Sequence, residues 1–190
     1  NSLLFSTGTW FINELCFYLS PLILLVLLGY SYTKRFTALC HLVLGVALGL
    51  APIGAYISVA EQFDILPILF GLIVLFWVSG FDIIYALQDE EFDKKNNLKS
   101  IPSILGKRNA LMVSTMLHFS CAGLLFVAGM EAGFELWYWI GTGIFIALLV
   151  YQHSIVKPND LSKVNLAFFT TNGVASVVFA AFVLCELWIK

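Results

Sequence analysis

The chain has 190 residues, of which 60% are hydrophobic and only 12% charged, with a formal net charge of −2. That balance and a mean hydropathy of +0.91 lie well outside the range of a water-soluble globular domain. They also exclude the basic, aromatic surface that nucleic-acid binding requires.

The first residues, NSLLFSTGTWFI, are apolar but too short to cross a bilayer. They carry no basic leader and no small-residue cleavage site, and they read as the tail of a helix whose beginning is absent. Six runs follow that are long enough to span the hydrocarbon core as helices: Leu15–Tyr32, Ala38–Ala60, Ile65–Leu87, Ala110–Met130, Leu136–Ile155 and Val164–Leu187. Transmembrane strands are excluded because the runs lack alternation and are about twice too long. The expected fold is all-α, a polytopic transmembrane helical bundle forming a single membrane domain over residues 1–190.

Basic residues order these spans. Lys34 and Arg35 follow the first, then Lys94, Lys95, Lys99, Lys107 and Arg108 follow the third, and Lys157 and Lys163 follow the fifth. Of the ten basic residues only Lys190 falls on the opposite side, so the positive-inside rule makes the nine-residue side cytoplasmic. The opposite loops, Glu61–Asp64 and Glu131–Glu135, are short and acidic. Cys16, Cys40, Cys121 and Cys185 show neither CxxC spacing nor a nearby histidine set, and read as small buried hydrophobes. No internal repeat, low-complexity tract or soluble domain is evident.

The third span ends in GFDIIYALQDEEFD, from Gly80 to Asp93. At about 100° per residue, Asp82, Asp89 and Asp93 fall within roughly 40° of one another on a helix. Tyr85 and Ala86 lie on or beside that stripe, and Glu90 and Glu91 point off it. An acidic group at the centre of a bilayer costs about 2.5–3.5 kcal/mol, so such groups face a cavity, a partner or a metal. Two carboxylates at i and i+4 suit Mg²⁺, which commonly also holds a substrate's phosphates. The plain alternative is that Asp89–Asp93 is the hydrated end of a span; Asp82, two turns deeper, argues against it. A second candidate is Tyr30-Ser-Tyr-Thr-Lys34-Arg35, where Tyr30 and Lys34 share a face and can reach one anion. Tyr and Lys at a span's end also serve as interfacial anchors, and that alternative stands beside the first.

With these residues in view, the sequence resembles the UbiA-type intramembrane aromatic prenyltransferases. GFDIIYALQDEEFDKKNNLKS is similar to that family's second aspartate-rich motif, DxxYAxxDxxxD, matched by Asp82, Tyr85, Ala86, Asp89 and Asp93, with Lys99-Ser100 following. YSYTKRFT resembles the family's segment after its third helix, which implies diphosphate contacts for Tyr30 and Lys34. Weaker echoes are Tyr151-Gln152 and Asn172 in the last two spans. The similarity runs along essentially the whole chain.

The resemblance implies Mg²⁺ held by Asp89 and Asp93, catalytic roles for Asp82, Tyr85, Asp89 and Asp93, and substrate contacts from Tyr30, Lys34, Lys99, Tyr151 and Asn172. The implied partners are a polyprenyl diphosphate, a small aromatic acceptor and the lipid bilayer, in a bacterial inner membrane with the active-site loops cytoplasmic. A 4-hydroxybenzoate-like acceptor of quinone synthesis is the first choice, with a dihydroxynaphthoate of menaquinone synthesis and porphyrin acceptors as alternatives. The family's first aspartate-rich loop has no counterpart, which implies the C-terminal two-thirds of an enzyme, able to insert into membranes but inactive alone. Two readings of other classes are an ion-coupled transporter, with Asp82 titrating, and a structural subunit. The crowding of acids at one membrane face, with no inverted repeat, favours the enzyme, and a subunit that only packs helices has no need of Asp82.

Overall fold

In the computed structural model, which describes residues 1–189, the chain is a bundle of helices. They are α1 (Ser2–Trp10), α2 (Glu14–Thr33), α3 (Cys40–Ala60), α4 (Ile65–Ala86), α5 (Glu90–Lys95), α6 (Ile101–Glu131), α7 (Leu136–Ile155) and α8 (Asn172–Ile189). Six stretches among the described residues are long and apolar enough to cross a membrane, and they coincide with the six expected runs. The expectation for Lys190 lies outside the described residues.

Local chemistry sets the helix ends. Asn13 caps α2 by accepting a hydrogen bond from the Cys16 amide, and its amide group donates to the Ile57 carbonyl at the far end of α3. Asp64 caps α4. Ser100 and Ser103 form a reciprocal capping box that starts α6, with Pro102 in the first turn. Pro102 and Gly106 are where the sequence suggests a break; α6 runs through Pro102 and is interrupted at Gly106, with φ +77° and ψ 162°. At the opposite end of the bundle the buried Glu186 carboxylate accepts from the Glu135 and Tyr138 amides at the start of α7, matching a negative group to a helix N-terminus.

The centre of the bundle is α4. One buried cluster joins its Leu69 and Ile73 to Cys121, Leu125 and Ala128 of α6, Phe145 and Leu149 of α7, and Ala175 of α8. A second surrounds Ile83, Ile84 and Leu87 near the basic end. Hydrophobic burial does not separate helix surfaces from lipid, so close packing must hold α3 on α4. Gly45 and Gly49, four residues apart, allow it. A Cβ at Gly45 would stand 2.5 Å from the Leu75 carbonyl oxygen, and one at Gly49 would stand 2.5 Å from that of Gly71.

We therefore expect Gly49→Val to cost about 1–3 kcal/mol, as overpacking does, measured by denaturant-induced unfolding in detergent. Gly54→Ala, one turn on in α3 with nothing within 4 Å of the added carbon, is the control and should be neutral or mildly stabilising.

Candidate active site

At the basic end, α2, α3 and α4 enclose a cavity of about 320 Å³ lined by Tyr30, Ser31, Lys34, Cys40, His41, Leu44, Asp82, Tyr85, Ala86 and Asp89. The sequence stripe thus does bring Asp82, Tyr85 and Asp89 together, and Tyr30 and Lys34 face them from α2. Directly along α2 and α3 from this polar chamber runs a larger apolar hollow of about 640 Å³, with walls that include Ile23, Val26, Val46 and Leu50. Val26 lies one turn from Tyr30 and Val46 two residues from Leu44, so the polar and the apolar space are neighbours along α2 and α3.

Asp93 departs from the expected stripe. The chain between α4 and α5 tightens into a 3₁₀ turn over Leu87–Asp89, and the changed twist per residue directs Asp93 away from the cavity. Its carboxylate is fully buried, with Oδ2 accepting from the Ser100 hydroxyl at 2.7 Å and Oδ1 at 2.8 Å from the Lys34 ammonium. That second contact is an ion pair whose angle falls outside a directional hydrogen bond. Glu90 lies off the stripe as expected and does not line the cavity; it is buried and paired with Lys94 at 2.6 Å and Lys107 at 3.7 Å. Glu91 is exposed.

Lys99 lies outside the cavity wall. Its amide donates to the Lys34 carbonyl at 2.7 Å and its ammonium to the Phe36 carbonyl at 3.1 Å, so it ties the α2–α3 loop to the α5–α6 loop. Tyr151 is exposed on α7, and its neighbour Gln152 is buried and donates to the Ala167 carbonyl. Asn172 also stands apart from the cavity. Its carbonyl oxygen accepts from Trp77 Nε1 at 3.3 Å and its amide donates to the Phe168 carbonyl.

Two features escaped the sequence. His41 is buried, and its Nδ1 stands 2.6 Å from Asp82 Oδ2 while its Nε2 accepts from the Ile101 amide at 3.4 Å. Those partners fix the tautomer with the proton on Nδ1, donated to the carboxylate. Nothing about a single histidine at the start of an apolar run signals this. The second is aromatic. A π-helical turn over Leu166–Thr171 precedes α8 and brings Phe168 to 4.2 Å from Tyr85 and 5.4 Å from Phe81, ring centre to ring centre. Trp77 continues the row 5.4 Å beyond Phe81.

Asp89 is the one cavity carboxylate without a partner, since Asp82 is held by His41. Mg²⁺ is commonly bound by one or two carboxylates with substrate phosphates and water completing its shell. Asp89 fits such a contribution; Asp93, neutralised by Lys34, does not in this arrangement. Among the described residues no three His, Cys, Asp or Glu side chains converge as a metal cluster.

The chain matches the UbiA prenyltransferase family over residues 2–183, and it belongs to that family. It is 29% identical to a 4-hydroxybenzoate octaprenyltransferase of Aromatoleum aromaticum, over 82% of this chain and 53% of the relative. It is also 29% identical to the enzyme of that name from Tolumonas auensis, over 92% and 61% respectively. The chain therefore spans between half and two-thirds of the length of these relatives. The apo structure of a UbiA homolog from Aeropyrum pernix K1 superposes with a TM-score of 0.86 at 26% identity, covering 98% of this chain and 69% of that one.

Removing the Lys34 charge strands a fully buried carboxylate. Lys34→Met should lower stability by about 3 kcal/mol, the low end for a broken buried pair because the ammonium is 31% exposed. Adding Asp93→Asn should restore most of the loss in the same denaturation assay; a double variant no more stable than Lys34→Met would show that the stranded carboxylate is not the source of the loss.

Proposed function

We propose that this member of the family takes part in transferring a polyprenyl group from its diphosphate to an aromatic hydroxy acid of the 4-hydroxybenzoate class. The observation that carries the reading is the juxtaposition of a polar chamber holding one unpartnered carboxylate, an apolar hollow next to it along α2 and α3, and an aromatic row beside it. The diphosphate sits at Tyr30, Lys34 and Asp89, and the prenyl chain runs along the hollow between α2 and α3. The names of the curated relatives support the acceptor class.

The chemistry follows from charge. The allylic C–O bond breaks and its electron pair leaves with the diphosphate. Bound Mg²⁺ would neutralise part of that developing charge, with Asp89 as the side chain placed to hold it. Diphosphate oxygens compete with Asp93 for the Lys34 ammonium, and the Tyr30 hydroxyl donates to them. The allylic cation lies against the Tyr85 ring, which lines the cavity and is backed by Phe168, an attraction of the cation–π type. A ring carbon of the acceptor supplies the electron pair of the new C–C bond, and the ring proton passes to the Asp82 carboxylate oxygen that His41 leaves free. Exclusion of water protects the cation from hydrolysis.

The test is prenyl transfer by the protein in its own membrane, with 4-hydroxybenzoate and a dihydroxynaphthoate supplied in parallel. Asp89→Asn should reduce transfer by about 10²-fold or more, as loss of a group that stabilises transition-state charge does, without changing thermal unfolding. Glu91→Gln should be tolerated. Full activity in Asp89→Asn would remove this carboxylate from the reaction.

The same reading puts the diphosphate end in the cytoplasm of a bacterium, since the Lys34, Lys99 and Lys157 loops share one face of the bundle and carry the positive charge. A single cysteine at position 99 or 157, in a background without the native four, should resist an impermeant maleimide in intact cells, and one at position 61 or 131 should react. Strong labelling at position 99 would reverse the orientation.

A further inference from the structure

On the far side of α4 from the cavity, α6 and α7 carry a polar cluster with no part in that chemistry. His118 Nδ1 lies 2.8 Å from His153 Nε2, and His118 Nε2 lies 3.2 Å from the Trp77 carbonyl oxygen. A carbonyl only accepts, so His118 Nε2 carries the proton, its Nδ1 accepts from His153 Nε2–H, and His153 Nδ1 is left as a lone-pair acceptor. Its nearest polar neighbour is the Thr115 hydroxyl at 3.4 Å, but that proton is donated to the Leu111 carbonyl at 2.9 Å. The arrangement is built into the fold: a Cβ on Gly80 would stand 2.3 Å from the His118 ring, so α4 admits the imidazole only where it lacks a side chain.

The acceptor nitrogen of His153, with only the long Thr115 contact beside it, faces a groove of about 270 Å³ between α6 and α7, whose other walls include Phe119, Ile146, Leu149 and Val150. Phe119 is 80% and Val150 64% exposed, and both sit in membrane-spanning helices, so the groove opens to acyl chains. His153 lies close to the basic end of α7, at the depth where the head group of an amphiphile resides. An acceptor in apolar surroundings without a donor is costly. A pair serving only to bridge helices needs no groove at its free end.

We propose that this groove binds the phenolic head of an alkyl-chained phenol dissolved in the bilayer, its hydroxyl donating to His153 Nδ1 and its chain lying along Phe119 and Ile146. The ligand class rests on the proposed reaction, whose product is such a phenol; the site itself rests on the hydrogen-bond pattern and the groove. A water molecule is a poorer occupant, because it seeks two to four polar partners and the walls offer one free acceptor beside the Thr115 oxygen.

Equilibrium binding to the full chain in lipid nanodiscs tests this without turnover, so a failure of the enzymatic reading leaves the result interpretable. Tritiated 4-dodecylphenol should bind saturably, and its methyl ether, which has no proton to donate, about tenfold more weakly, the effect of one lost hydrogen bond. His153→Leu should weaken phenol binding by about the same factor. Because that variant also removes the bridge to His118, Val150→Trp provides the second test: it fills the groove from an exposed wall position with no polar contact, and should abolish saturable binding. Equal affinity for phenol and ether, or undiminished phenol binding in Val150→Trp, would overturn the proposal.

Discussion

A carboxylate at the edge of a hydrocarbon layer needs a partner, and the way this chain distributes partners among its aspartates determines the rest of the cavity. Water is scarce there, and an unpaired buried charge is worth several kcal/mol of instability. Asp93 takes Lys34 and Ser100, and in doing so locks the α2–α3 loop to the start of α6. Asp82 takes His41, which in turn accepts from the first amide of α6. Both pairings pull the same two loops together over the cavity. Asp89, held on the outer turn of a short 3₁₀ segment, is left exposed. A carboxylate left unpaired among paired ones is available to a cation or to a donor on a ligand.

The tail of the site follows from a different constraint. Helix surfaces in lipid gain nothing from hydrophobic contact alone, so they close only where small residues let backbones touch. Gly45, Gly49 and Gly71 bring α3 and α4 together, whereas α2 carries large aliphatic side chains towards α3. The first pair closes without a gap and the second leaves the apolar hollow. At the polar end, the π-helical turn before α8 backs Tyr85 from behind. An extra residue per turn there brings Phe168 over Tyr85, beyond what a regular helix from Leu166 would do.

Most of the fold was legible in the sequence because length and hydropathy decide membrane spans almost alone. Each of the six runs lies at a helix, and of Pro102 and Gly106 it is Gly106 that interrupts α6, while Pro102 sits in its first turn. The site was legible in part. A period of 3.6 placed Asp82, Tyr85 and Asp89 together, as the cavity has them. It misplaced Asp93 because three residues of 3₁₀ geometry change the twist, and no residue in LQD announces that. Tyr30 and Lys34 were placed by their spacing, but the sequence could not show that Lys34 and Asp93 neutralise each other. His41 and Phe168 were invisible for a simpler reason: their roles depend on contacts 41 and 83 residues away along the chain.

The two polar clusters are held by one helix. The side chains of Asp82, Tyr85 and Trp77 reach the cavity or its aromatic wall from α4, while the Trp77 carbonyl and the bare backbone of Gly80 face the paired histidines. The Ser114 hydroxyl also donates to the Gly80 carbonyl at 2.7 Å, fixing α6 to the same turn. Glycines bring α3 close on one side of α4, and Gly80 admits the His118 imidazole on the other, so no added side chain fits at either contact. The positions of Asp82 and Tyr85 are therefore set by close backbone approach to α3 on one flank and by the His118 ring against bare backbone on the other. That rigidity leaves the loops after α2 and α5 as the parts of the cavity able to adjust, since hydrogen bonds and one exchangeable ion pair hold them.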